Sequence, residues 1–349
     1  MKHRRRQLLL LLGALLVGFV VVEYVLHWVV PVNFNVSAYD TEWHHTFIKN
    51  MRGWTSSDAG ATFLVTDSDG FRDREHLVVK RGDETRVMVL GDSIIANVAV
   101  PKEKMITALL AEKLEESEVI NRGVESWDMY LEYLYFRKDG HKYAPDVLVL
   151  VFNVGNDFID IMNPEIVPLF NDSVILVDKF PELSVQKKVR WWLNQHSGVY
   201  RLFHSFYYSN IKEHSVTNDG FFSLGFGSEF QEALRRIKVV ITAFDALARR
   251  QGTRLIVVVH NDPRVTNQEY YQHWADKRKN YIPFEELGKG GGMLVDFLNQ
   301  SNITYVDNTP YIHELADYVS FEDAHLSAQG SRKFADVLFN AVNMTFGRI

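Results

Sequence analysis

Residues 87–97 read VMVLGDSIIAN: an unbroken apolar run stops at Gly91-Asp92-Ser93 and resumes with residues that suit a helix. Short apolar runs that alternate with helical segments are the pattern of a parallel sheet buried on both faces. From Arg86 onward the chain keeps to that pattern. RVMVL precedes PKEKMITALLAEKLEE, EVIN precedes WDMYLEYLYFRKDGHK, and DVLVLVFNV follows. EFQEALRRIKVVITAFDALARRQG then leads into TRLIVVVH and GGMLVDFLNQS into ITYVD, with a last helix expected from Ser327 to about Val342. The expected fold is a doubly wound three-layer α/β/α sandwich with a mainly parallel sheet.

Composition narrows the function. The 349 residues are 46% hydrophobic and 23% charged, an ordinary globular balance. With 38 basic and 44 acidic side chains the net charge is -6, and no basic run follows residue 6, so no nucleic acid partner is expected. The absence of cysteine excludes thiol catalysis, disulfides, a lipidated cysteine and cysteine-ligated metal. The pair His44-His45 lacks the partners of a zinc-binding HExxH motif and reads as solvent-exposed, so no metal is expected.

The opening MKHRRRQLLLLLGALLVGFVVVEYVLHWVVP sets four basic residues before an apolar run from Leu8 to Val22 that continues, with Glu23 and His27 interrupting, to Val30. A bilayer core needs ~20 mainly apolar helical residues. Basic residues stay on the cytoplasmic side, so the remainder is expected outside the cytoplasm. A cleaved signal peptide fits the same charges, but no small-x-small site follows the run, so residues 1–31 read as an uncleaved single-pass transmembrane anchor. Residues 32–85 read as a linker and small accessory segment, and residues 86–349 as the main domain. The sheet rhythm lapses over about 161–228, where VQKKVRWWLNQHSGVYRLFHSFYYSN is strongly aromatic. That insertion suits a lid, a membrane-surface element or two extra core helices.

In a doubly wound sheet, loops leaving the carboxyl ends of the strands converge on one crevice where ligands bind. Ser93 stands at such an end, at the start of a helix whose free N–H groups favour developing negative charge. Alone it reads as a helix N-cap. A serine hydroxyl becomes a nucleophile only with a base in reach and donors aimed at the oxyanion it creates. His325, on the loop before the last helix and among acidic neighbours, is the expected base. Asn156, after DVLVLVFNV, offers an amide, and the backbone N–H groups of Ser93 and Ser126 complete an expected three-donor oxyanion hole.

These residues resemble the SGNH or GDSL hydrolase family. GDSI at 91–94 looks like its first block, NRGVES at 121–126 like the second, VGND at 154–157 like the third and EDAH at 322–325 like the last, all in the family's order. The upstream DSDGFRDRE looks like the run that precedes the GDS strand in membrane-anchored bacterial members. The resemblance implies a flavodoxin-like α/β/α domain with a Ser-His-acid site that acts on esters without metal or organic cofactor. It implies Ser93 as nucleophile, His325 as base and Asn156 as oxyanion donor. This chain departs from the family twice. Ser126 stands where a glycine is usual, so a Cβ constrains that turn. The usual aspartate three positions before the histidine is Glu322 here, which becomes the expected triad acid, with Asp323 as the alternative.

The expected function is extracytoplasmic serine ester hydrolysis through an acyl-serine intermediate, removing O-acetyl or other acyl groups from a polysaccharide or lipid. An O-acyltransferase that hands the same acyl group to an envelope or secreted polysaccharide is the alternative. A non-catalytic carbohydrate-binding or scaffold protein with this fold is a third reading.

Overall fold

The computed structural model describes residues 2–28, 36–57, 59–114, 116–168, 172–210, 226–276 and 282–347. Helix α1 (Lys2–Trp28) is followed by two antiparallel hairpins, β1 (Ser37–Asp40) with β2 (His44–Phe47) and β3 (Arg52–Ser57) with β4 (Gly60–Val65). The main domain begins with β5 (Thr85–Gly91), α2 (Ser93–Ala96), α3 (Ile106–Lys113), β6 (Ser117–Gly123), α4 (Met129–Lys138) and β7 (Val147–Asn153). Next come α5 (Asp157–Asp160), α6 (Val185–His196), α7 (Gly198–Asn210), α8 (Ser228–Gln251) and β8 (Arg254–His260). The chain closes with α9 (Pro263–Thr266), α10 (Gln268–Ala275), α11 (Phe284–Leu287), α12 (Lys289–Gln300), β9 (Tyr305–Asp307) and α13 (Ala328–Thr345).

The main sheet has five parallel strands in the order β6-β5-β7-β8-β9. Successive side chains of a strand face opposite sides, and the central strand β7 shows the result. Val147, Val149 and Val151 join one core with Ile106, Leu110, Phe334 and Leu338 from α3 and α13. Leu148, Leu150 and Phe152 join another with Leu134, Ile237, Phe244 and Leu294 from α4, α8 and α12. A strand apolar from Val147 to Phe152 is thus buried on both faces, which produces the three layers. Strand order reverses between β5 and β7, and at that reversal the loops on either side diverge to leave a crevice.

Residues 36–85, expected as linker and accessory segment, pack on the domain. Phe47, Met51 and Leu64 share a small core with Ala96 of α2. The 67–76 run has a bracing role. Asp67 pairs with Arg122 at 3.2 Å, Asp73 accepts the Asn121 N–H at 2.7 Å, and buried Arg72 donates to the carbonyls of Ala96 and Val100 at 3.2 and 2.6 Å. This run therefore fixes the end of β6 and the end of α2 together. The insertion at 161–228 contains α6 and α7, while residues 169–171 and 211–225 lie outside the described residues.

Candidate active site

Ser93 is the first residue of α2, directly beyond β5. The cap is Asp92, whose carboxylate accepts the Ile94 N–H at 2.8 Å, so the serine hydroxyl is not spent on the helix end. The other Asp92 oxygen accepts Asn153 Nδ2 at 2.9 Å, and Asn153 Oδ1 accepts the Gly155 N–H at 3.0 Å. One side chain at the end of β7 therefore ties the serine turn to the loop that carries Asn156. At the end of β6, a Cβ on Gly123 would lie 2.6 Å from the Ala96 nitrogen, so glycine is what allows this strand end to press on α2.

Ser93, Ser126, Asn156 and His325 line one cleft of about 280 Å³. His325 reaches it from the loop before α13. Its Nδ1 is 2.6 Å from Asp323 Oδ1, which also accepts the His325 backbone N–H at 3.0 Å. That leaves Nε2 as the ring nitrogen able to take a proton. Burial alone would lower the imidazole, but the hydrogen bond and charge of Asp323, with Asp92 and Glu125 adding to it, hold it above its ordinary 6.5. Asp323 is held below the usual carboxylate value, its burial outweighed by the hydrogen bond and charge of His325.

The expected triad acid, Glu322, is not on the ring. Reciprocal backbone bonds between Ser320 and Asp323 at 3.2 and 3.3 Å form a tight turn, and Glu322 extends from it to bond His273 Nε2 at 3.0 Å with a side chain 63% exposed. The geometry corrects the expectation: the acid that orients His325 is the alternative, Asp323. Histidines 44 and 45 also differ from their reading as solvent-exposed, because both are half-buried. His45 Nε2 bonds the Glu125 carbonyl at 2.8 Å and its own carbonyl accepts Trp127 Nε1 at 2.7 Å, so the β2 strand holds the loop around Ser126. Burial pushes the His45 imidazole down to about 4, and it is neutral.

The three groups expected to donate to an oxyanion have distinct supports. Ser93 offers the N–H of a first helical turn. Ser126 stands at φ 62°, in the left-handed region, against the preference of its Cβ. Asn156 donates through Nδ2 to Asp160 Oδ2 at 2.8 Å, which fixes the amide plane with the second Nδ2 hydrogen still available. Asp160 lines the cleft, and its carboxyl is pushed up to about 6 by burial, with the Asn156 hydrogen bond pulling the other way. Asp92, Asp128, Glu132 and Asp157 form a buried carboxyl group nearby. Burial first, then the charge of Asp92, pushes Glu132 and Asp157 well above the usual carboxylate range.

Asn153, Asp157 and Asp160 are not among the residues that the sequence marks out as site candidates. The available signal was FNVGND, a polar residue ending a fully apolar strand. Asn156→Ala is expected to lower turnover roughly 10²- to 10³-fold, the scale for losing one oxyanion donor. Asp160→Ala, which frees the amide to rotate, should cost ~10-fold, and Asp160→Asn, which keeps an acceptor, should restore most of it. Steady-state kinetics on one activated ester checks all three; equal rates for Asn156→Ala and wild type remove Asn156 from the hole.

No protein-family model and no curated protein matches this chain. Solved structures similar to it include an acetylxylan esterase from Geobacillus stearothermophilus at 9% identity, covering 76% of this chain and 96% of that one with a TM-score of 0.41. A carbohydrate acetylesterase from Sinorhizobium meliloti matches at 12% identity, covering 75% of this chain and 100% of that one, with a TM-score of 0.41. A GDSL-like lipase from Bacteroides thetaiotaomicron matches at 11% identity, covering 78% and 92%, with a TM-score of 0.41.

Proposed function

We propose that this chain is a membrane-anchored, extracytoplasmic serine ester hydrolase of the SGNH type that removes small acyl groups, acetyl foremost, from a glycan. One observation carries the reading: Ser93 from the turn after β5 and His325, held by Asp323 on the loop before α13, line one cleft with Asn156 and Ser126. Ser93 Oγ attacks the ester carbonyl as His325 Nε2 takes its proton. Asn156 and the N–H groups of Ser93 and Ser126 hold the oxyanion. Collapse expels the alcohol, which leaves with the proton from His325, and water activated by the same ring releases the acid.

The cleft walls favour a short acyl group. Asp160, Asp262 and Arg264 stand among its lining residues, and a cleft of about 280 Å³ with such walls suits acetyl on a hydrophilic alcohol better than a long hydrocarbon chain. Location is supported by helix α1, where the span His3–Leu26 contains an 18-residue window of mean hydropathy 2.6, none of it buried. The basic residues that precede it favour a cytoplasmic amino terminus. The test is a chain-length series of p-nitrophenyl esters, followed by acetylated polysaccharide with and without an acceptor glycan. Fastest release from the acetyl ester, with free acetate as product, supports the reading; acetate appearing only on the acceptor makes the protein a transferase, and preference for long chains overturns the acetyl assignment.

A further inference from the structure

The cleft makes no use of the α6–α7 hairpin, yet that hairpin is fastened to the apolar helix. Glu23 of α1 accepts Ser197 Oγ at 2.6 Å and the Gly198 N–H at 2.5 Å, a carboxylate placed on the first turn of α7 where free N–H groups attract it. A Cβ on Gly198 would stand 2.6 Å from Leu26 Cβ, so glycine is what lets α7 touch α1. Buried Arg201 closes the hairpin by donating to the carbonyls of Asn194 and Gln195, at the end of α6, at 3.1 and 3.2 Å.

Away from these contacts α7 turns large apolar side chains outward. Leu202 is 49% exposed, Phe203 70%, Phe206 60% and Tyr207 49%, at helical spacings that place them on one face. On α6, Val185, Val189 and Trp192 follow at i, i+4 and i+7, exposed by 76%, 52% and 57%. Lys187, Lys188 and Arg190 add positive charge to the same helix. An apolar face with basic and aromatic residues beside it is the composition of a helix that lies in a membrane interface.

Depth singles out lipid as the occupant. The 16 steps from Gln7 to Glu23 rise ~24 Å as helix, ~6 Å short of the far edge of a ~30 Å hydrocarbon core. Interfacial helices bury their apolar face ~5–10 Å into the headgroup and acyl boundary, which is the depth at which Glu23 holds α7.

We infer that the α6–α7 hairpin is an interfacial membrane-binding element, whose α7 face lies in the leaflet on the catalytic side and holds the enzyme at a set height and tilt. The inference rests on reading α1 as a membrane anchor. The chain has no cysteine, so one introduced cysteine is the only thiol to label. Phe203→Cys, Leu15→Cys and Glu112→Cys, the last an exposed site on α3, are each coupled to an environment-sensitive fluorophore. The full chain is reconstituted into phosphatidylcholine vesicles containing phosphatidylglycerol and quenched with lipids doxyl-labelled at shallow or deep positions. Shallow-label quenching is expected at 203, deep-label quenching at 15 and none at 112. Quenching at 15 without quenching at 203 overturns the hairpin inference and leaves the anchor intact. Absence of quenching at 15 overturns the anchor and the inference with it. A probe at 203 that lipid does not quench and that becomes shielded with rising protein concentration in detergent assigns the face to a second copy, which also overturns it.

Discussion

Ser93→Ala lowers turnover of p-nitrophenyl acetate roughly 10⁴- to 10⁶-fold, the scale on which removing the nucleophile of a triad acts. The rival account of Ser93 is a helix cap, and a lost cap costs ~1 kcal/mol of stability with no specific effect on chemistry. The structure separates the two, because the bond to the Ile94 N–H comes from Asp92. Ser93 is already inside α2, where alanine is the better helix former. The variant should therefore melt within a degree or two of wild type while losing turnover and covalent labelling by a fluorophosphonate together. Retention of more than about a tenth of the wild-type rate would show that the hydroxyl is not the attacking group, since no other residue could replace it without costing orders of magnitude.

The three central strands were legible because β5, β7 and β8 carry apolar runs that no polar face interrupts, and two-sided burial imposes that pattern. Ser93, Asn156 and His325 were legible as a set because loops at one sheet edge must converge, whatever their distance in sequence. Glu322 against Asp323 was not, because a spacing rule assumes one loop conformation, and here the Ser320–Asp323 turn sends the earlier acid outward. His45 was misread for a related reason: a polar pair in a short hairpin looks solvent-facing until the hairpin is found to brace the Ser126 loop. The contact of Glu23 with α7 was beyond reach, since nothing local marks one acid at the end of an apolar run as the cap of a helix some 175 residues later.

The second large effect falls on Asp323. Asp323→Asn keeps the shape of the side chain and removes its charge, so the amide can donate to His325 Nδ1 and hold the ring in the tautomer that presents N–H, not a lone pair, to Ser93. That failure costs ~10⁴-fold in turnover in a triad of this logic. The pH profile carries an independent sign. His325 acts as base only when neutral, and Asp323 holds its pKa above 6.5, so wild-type kcat/KM should rise with pH through a value above 6.5. Without the carboxylate the ring loses the interaction that favours imidazolium, and the acid limb of whatever activity remains moves to lower pH. The same pair affects stability: the raised His325 favours the folded state fully below 6.5, and the lowered Asp323 does so above 3.8, so the pair contributes most between those values. Glu322→Gln should leave both the rate and the limb where they are, because Glu322 bonds a surface histidine, His273. Rate measurements across pH 5 to 9 on the two variants decide the assignment. If Glu322→Gln shifted the acid limb and Asp323→Asn did not, the ring would be oriented from the other side of the turn, and the Ser320–Asp323 loop would have to open before catalysis.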